Sequence, residues 1–207
     1  MTEPSAFQQL SPTTLADVLT RANVMDIGIR PLWSGMPRVA GPAYPVRCAL
    51  GDNLMLHAAI YRAPPGSIIV VAAGDVDYAV AGGNVCAVAQ KNGIAAFVVD
   101  GVIRDLAEVR ANRFPVFARG VSPIPGTKDM LDRINAQVTC GGVQVAPGDY
   151  VIADEEGIVV VPVAQLDAVL HAAQARAAKD AAETLESWEA AHRARIDDIL
   201  RKKGFTG

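Results

Sequence analysis

The sequence predicts an α/β fold: a layered sheet domain over residues 1–162 and a C-terminal helical arm over 163–207. Three observations carry this. Continuous Val/Ile runs such as Ile68-Ile69-Val70-Val71 and Ile158-Val159-Val160-Val161 read as strands buried on both faces. Between residues 67 and 117 such runs alternate with short helical stretches, the order of a βαβ unit with parallel pairing. From 163 to 203 the chain becomes Ala-rich, with Leu166, Val169, Leu170, Ala173, Ala177, Leu185, Trp188, Ile196 and Leu200 at helical intervals, as in one or two long helices.

The elements follow in order. Ser11 before Leu15, Val18 and Leu19 caps a short N-terminal helix. Residues 28–45 hold several Gly and Pro and read as irregular structure or short strands. A second helix begins around Gly51-Asp52-Asn53 and stops before Pro64-Pro65-Gly66, which launches the strand over 67–73. Gly82-Gly83-Asn84 opens a helix to about Gln90, ended by Asn92-Gly93. Residues 95–99 form a strand ending at Asp100, with a sharp turn at Gly101, and a helix covers 106–110. Phe114-Pro115-Val116-Phe117 is a further short strand. Short strands with few helical intervals fill 142–161, so the sheet is mixed or doubled into layers. An arm as long as 163–203 is hard to bury on so small a core, so part of it is expected to pack on a neighbouring subunit.

Composition narrows the functional classes. A formal charge of −3 from 19 Lys+Arg and 22 Asp+Glu makes no electrostatic case for a nucleic-acid partner. Cys48, Cys86 and Cys140 are odd in number and lack CxxC spacing, so reduced buried thiols are expected rather than disulfides or a zinc site. Residues 1–10 lack the basic-then-apolar pattern of an export signal. No span approaches the roughly 20 apolar residues that cross a bilayer, and a cytoplasmic location without membrane association is expected.

Two stretches carry chemistry. Arg104 and Asp105 follow a buried strand, where ligands of α/β sheets gather. Arg is a fixed cation able to hold a carboxylate or enolate oxygen, and Asp can ligate a hard divalent cation; equally, an Asp can serve the first turn of a helix beside a surface Arg. Gly82, Gly83, Asn84 and Val85 place first-turn N–H groups where an anion can approach, although Gly-Gly before a helix is also an ordinary turn. Together they suit a 2-oxo acid, with amides on its carboxylate, Arg104 at the keto oxygen and Asp105 on a metal. His57, His171 and His192 lie in predicted helices without paired-ligand spacing and are expected to serve packing or surface roles. Lys128 sits in a Pro/Gly-rich segment, too polar for a Schiff-base lysine yet able to reach a substrate carboxylate. Asp154-Glu155-Glu156-Gly157 is expected to be a turn with its carboxylates in solvent.

Gly51-Asp52-Asn53, Pro65-Gly66, Gly82-Gly83-Asn84, Asp100-Gly101-x-x-Arg104-Asp105, 114–120, 140–149 and Asp154-x-x-Gly157 with the strand after it together resemble the RraA-like family, in order from about residue 50 to 162. That family includes 4-hydroxy-4-methyl-2-oxoglutarate and 4-carboxy-4-hydroxy-2-oxoadipate aldolases, which also decarboxylate oxaloacetate, and RraA, a protein inhibitor of ribonuclease E. The resemblance implies a layered β/β/α fold like the phosphohistidine swivelling domain, assembled as a homotrimer or homohexamer with sites between subunits.

It also implies that Asp105 ligates Mg2+ or Mn2+ and that Arg104 stabilises an enolate. The amides around Gly82, Gly83, Asn84 and Val85 would cradle the pyruvate carboxylate, and Lys128 would stand near the substrate. The aldolases supply a glutamate from the neighbouring subunit's C-terminal helix; here the counterpart is Asp180, one methylene shorter. The activity implied is a metal-dependent aldolase acting on a 4-hydroxy-2-oxo acid, the alternative being a non-catalytic regulator that binds ribonuclease E or another protein.

Overall fold

The computed structural model describes residues 4–205; the first three residues of the stretch searched for an export signal lie outside them. Strands β1 (Arg30–Pro31), β2 (Val39–Arg47), β3 (Ile68–Ala72), β4 (Ala96–Ile103), β5 (Val116–Val121), β8 (Tyr150–Asp154) and β9 (Gly157–Val161) form one sheet in the order β1-β5-β4-β3-β2-β8-β9. β6 (Val138–Cys140) and β7 (Val143–Val145) pair as a separate hairpin. The helices are α1 (Pro12–Ala16), α2 (Leu54–Ala59), α3 (Gly83–Lys91), α4 (Leu106–Ala111), α5 (Leu166–Ala182) and α6 (Leu185–Lys202). β2 to β5 run parallel, whereas β8, β9 and β1 join antiparallel.

The two-residue period of a strand sorts its side chains onto opposite faces. Ile69, Val71, Phe97 and Val99 meet Leu56, Ala59, Cys86, Ala89 and Val109 of α2, α3 and α4. Ile68, Val70, Ala96 and Val98 of the same strands meet a second core made by Val151, Ala153, Ile158 and Val160, with Val138, Cys140, Val143 and Val145 of the hairpin. The remaining faces of β8 and β9, Tyr150, Ile152, Val159 and Val161, pack on Phe7, Leu10, Leu15 and the α5 residues Val169, Leu170 and Ala173. The expected layering is present, and α1 with α5 adds a helical layer outside β8 and β9.

Residues 28–45 are more regular than their Pro and Gly content predicts, because β2 spans nine residues. It changes partner midway, pairing β8 over 39–42 and β3 over 43–47. Pro42 would face its missing N–H towards β3 before that pairing begins. Pro45 faces the other way, after β8 has left, on the side where Ala43 donates to Asp149 and Arg47 to Arg133. Neither proline removes a ladder bond, which is how a central strand tolerates both. The N-terminal helix is shorter than predicted: Ser11 Oγ accepts from Thr14 N as the cap, and α1 ends at Ala16.

The arm divides into two helices of different character. α5 is held by the buried Val169, Leu170 and Ala173. α6 buries none of its residues and leaves Leu185, Trp188, Ile196 and Ile199 exposed, with His192 stacked on Trp188. No helix among the described residues is long and apolar enough to cross a membrane. All three cysteines are free and buried; burial pushes the Cys48 thiol up to about 11 and the Cys86 thiol to about 12, so neither is a ready nucleophile.

Candidate active site

The parallel strands β3, β4 and β5 end on one edge, and the chain leaving them builds a pocket of about 80 Å3. Asn53 before α2 and His57 within it, Ala79, Ala81 and Gly82, Asn84 and Val85 of α3, Arg104 and Asp105 before α4, and Pro125 and Lys128 after β5 converge there. Backbone bridges hold these loops in register: Ala79 with Val102 and with Pro125, and Asp52 with Thr127. Such a position, beyond the carboxyl ends of parallel strands, is where α/β sheets bind ligands. A larger groove of about 470 Å3 lies around Met25, Ile27, Ile29 and Glu155, without a comparable convergence of cation, carboxylate, imidazole and helix N-terminus.

β4 does not end at Asp100. It continues to Ile103, with a register shift against β5 between Val99 and Val102. Gly101 makes no sharp turn; a Cβ there would stand 2.6 Å from Ala73 Cβ and 3.2 Å from the Asp75 carbonyl oxygen, so glycine permits close approach of neighbouring chain. The reversal occurs at Asp105, whose φ of 57 and ψ of 39 are left-handed. Asp is one of the few side chains that accept this conformation readily. Asp100 is committed elsewhere, pairing with Arg119 and accepting from Gly141 N at 2.7 Å.

Asp105 Oδ2 accepts from Gly83 N at 3.1 Å and lies 3.5 Å from Arg104 Nε, with both side chains about two-fifths exposed. The Gly83 N–H is thereby engaged by protein, contrary to its expected place in an anion cradle. Asn84 and Val85 are the pocket-lining residues whose first-turn N–H groups lack a helical acceptor. Glycine at 82 leaves room for Asp105 and Arg104 as they stand: a Cβ there would fall 2.4 Å from Asp105 Oδ2 and 3.1 Å from Arg104 Cγ.

Asn53 and His57 were not singled out by sequence as site residues. Asn53 is 3% exposed, donates through Nδ2 to Gly126 O at 3.2 Å, and leaves Oδ1 without a hydrogen-bond partner. A buried unpaired acceptor beside a pocket is a place for a ligand donor. Burial first, then the nearby Lys128 charge, hold the His57 pKa below its ordinary 6.5, against a hydrogen bond with the Val80 carbonyl. The unfolded chain therefore binds this proton at higher pH than the folded one, and stability declines as pH falls below 6.5. Thermal melting should show that decline flattened in His57→Gln; an unchanged profile would assign it to other groups.

Asp180 lies outside the pocket of its own chain, on α5, paired with Arg176 at 3.3 Å; Arg176 also holds Asp17 at 3.0 Å. His171 and His192 are exposed on the arm. The Asp154-to-Gly157 turn is as predicted, but Asp154 is buried against Arg38 at 2.9 Å rather than solvated.

The RraA-like family model, described as Aldolase/RraA, matches residues 12–160. The chain belongs to the RraA-like family. A relative from Halalkalibacterium halodurans, provisionally named a 4-hydroxy-4-methyl-2-oxoglutarate aldolase, is 37% identical over 96% of this chain and 91% of its own length. An uncharacterized protein from Pseudomonas syringae superposes with a TM-score of 0.77 at 28% identity, covering 91% of this chain and 92% of that one. Streptomyces coelicolor RraAS2, described as an unusual member of the RNase ES inhibitor RraA protein family, gives 0.73 at 29% identity over 93% and 96%. For this RraA-like chain the family match covers all of the pocket and stops before the arm.

Proposed function

We propose that this chain is a divalent-metal-dependent aldolase that cleaves a 4-hydroxy-2-oxo acid to pyruvate and also decarboxylates oxaloacetate. The observation that carries the reading is the convergence of Arg104, Asp105, the α3 N-terminus and Lys128 in one pocket. A family relative bears an aldolase name.

Cleavage breaks the C3–C4 bond as the 4-hydroxyl gives its proton to solvent water, which returns one to C3, and the C4–OH becomes a carbonyl. The electron pair moves onto C3 and the C2 oxygen, and the enolate then takes a proton at C3 to give pyruvate. The Asn84 and Val85 N–H groups bind the C1 carboxylate, with the α3 dipole favouring its charge. Arg104 stands beside the C2 oxygen as negative charge develops there, a contribution of several kcal/mol when preorganised. Lys128 meets a carboxylate on the distal half of the substrate.

Asp105 is the side chain fitted to a cation. It is half-exposed, and both of its protein contacts use Oδ2. Among the described residues no group of three His, Cys, Asp or Glu side chains is placed to hold a metal. A single carboxylate suits Mg2+ or Mn2+, hard cations that keep most of their waters. When bound, the ion supplies Lewis acidity at the keto oxygen. A carboxylate from a neighbouring α5, Asp180, is proposed as an outer partner of the ion, in a cytoplasmic homotrimer or homohexamer. The unburied α6 supports such an assembly. Static light scattering should then give three or six times the 21.7 kDa chain mass; a monomeric mass removes that part of the proposal.

A coupled assay for pyruvate from oxaloacetate and from 4-hydroxy-4-methyl-2-oxoglutarate tests the activity. Release should stop with chelator and return with Mg2+. The likeness to RraAS2 favours the second reading, a non-catalytic regulator that binds ribonuclease E or another protein, and no release from any such substrate would decide for it.

A further inference from the structure

We infer that Asp52 is a positioning residue that fixes the Lys128 segment against the pocket; its consequence for substrate binding rests on the aldolase reading above. Asp52 is 2% exposed, and its carboxylate faces four donors. Oδ1 accepts from Leu54 N at 2.8 Å, at the start of α2. Oδ2 accepts from Thr127 Oγ1 at 2.9 Å, Asp129 N at 2.6 Å and Met130 N at 3.2 Å. These donors flank Lys128 on both sides, and Lys128 lines the pocket.

The neighbours of Asp52 complete the clasp. Thr127 N donates to Gly51 O at 2.8 Å and Asn53 N to Thr127 O at 2.9 Å, while Asn53 Nδ2 reaches Gly126 O. A Cβ on Gly126 would lie 2.9 Å from Gly51 O, so the two strands of chain are in close contact. The side chains around Lys128 add little packing of their own: Met130 and Leu131 are 54% and 83% exposed, and the next anchor along the chain is Asp132, paired with Arg47 at 2.7 Å. A flexible lysine in such a loop carries a large entropy cost for each productive contact. A buried carboxylate collecting N–H groups from either side of it removes part of that cost before substrate arrives, because charge-assisted hydrogen bonds are stronger than neutral ones.

The test is a double-mutant cycle read by NMR on the His57 ring, which feels the Lys128 charge. Lys128→Met should raise the His57 pKa in the otherwise native chain and raise it less in Asp52→Ala, where the segment keeps only its bonds to Gly51 and Asn53. The comparison within each background cancels the charge that Asp52 itself contributes. An equal rise in both backgrounds overturns the inference. Should Asp52→Ala not fold, Thr127→Val takes its place in the cycle, and the Lys128→Met shift should shrink there; an undiminished shift again overturns it. This readout needs no turnover, so a chain that releases no pyruvate defeats the aldolase reading and leaves the Asp52 inference to the cycle. In an active enzyme, Asp52→Ala should raise KM for 4-hydroxy-4-methyl-2-oxoglutarate by about tenfold, the loss of one modest contact. Inhibition by pyruvate, which lacks the distal half, should stay within about twofold on the same grounds. An equal loss for both ligands would mean general disruption of the pocket.

Discussion

Asp105→Ala is expected to reduce pyruvate release by about 10^3-fold or more, since it removes the proposed cation ligand and the electrostatic stabilisation that depends on it. The fold should survive. Asp105 is half-exposed and its protein contacts are Gly83 N and Arg104, so no core packing is lost. Alanine at a φ of 57 is less comfortable than aspartate, at a cost of about 1 kcal/mol, well within ordinary domain stability. Asp105→Asn makes the sharper comparison, because the amide keeps the left-handed preference and an oxygen for Gly83 while discarding the charge. Loss of turnover in both variants, with melting temperatures near that of the parent chain, identifies the charge as the active element. Unchanged turnover in Asp105→Asn would reject Asp105 as the ligand of a catalytic cation.

Much of the fold was legible because local pattern and tertiary environment agree. β3 and β9 are β-branched runs bounded by turn residues, and α3 begins at Gly82-Gly83 and stops at Asn92-Gly93. β2 was obscured by Pro42 and Pro45, whose harmlessness depends on which neighbour lies on which side, a fact of topology absent from local sequence. Gly101 misled in the same way: glycine marks either a turn or a close approach, and only Ala73 and Asp75 across the sheet decide between them.

The candidate site was legible where adjacency in sequence coincides with adjacency in space, at Gly82 to Val85 and at Arg104-Asp105. Its third wall was not. Asn53, which precedes α2, and His57, four residues on, face the pocket only because 51–53 clasps 126–130, a pairing across more than seventy residues. A signal was nevertheless present, for Gly51-Asp52-Asn53 is a polar triplet that the structure buries at Asp52 and Asn53. Buried polar side chains at a helix start call for specific partners. Asp180 marks the opposite limit, since no contact within one chain reports on a residue proposed to act across an interface.

Gly82→Ala is expected to lower turnover by about 10^2-fold with little loss of stability, the size of effect that a displacement near 1 Å produces in a reacting group. Gly82 has an extended φ of −149, which alanine adopts freely, so the backbone is not strained by the change. The added methyl instead meets Asp105 Oδ2 at 2.4 Å and Arg104 Cγ at 3.1 Å. A carboxylate tip is mobile, and rotating it away relieves the clash cheaply. That same rotation breaks the hydrogen bond from Gly83 N and moves both groups on which the proposed chemistry depends. The variant should melt close to the parent chain, with the defect concentrated in kcat and in the concentration of Mg2+ needed for half-maximal rate. Near-parental kinetics at every Mg2+ concentration would show that the position of Asp105 against Gly82 and Gly83 does not matter to the reaction, and would leave the cation bound elsewhere.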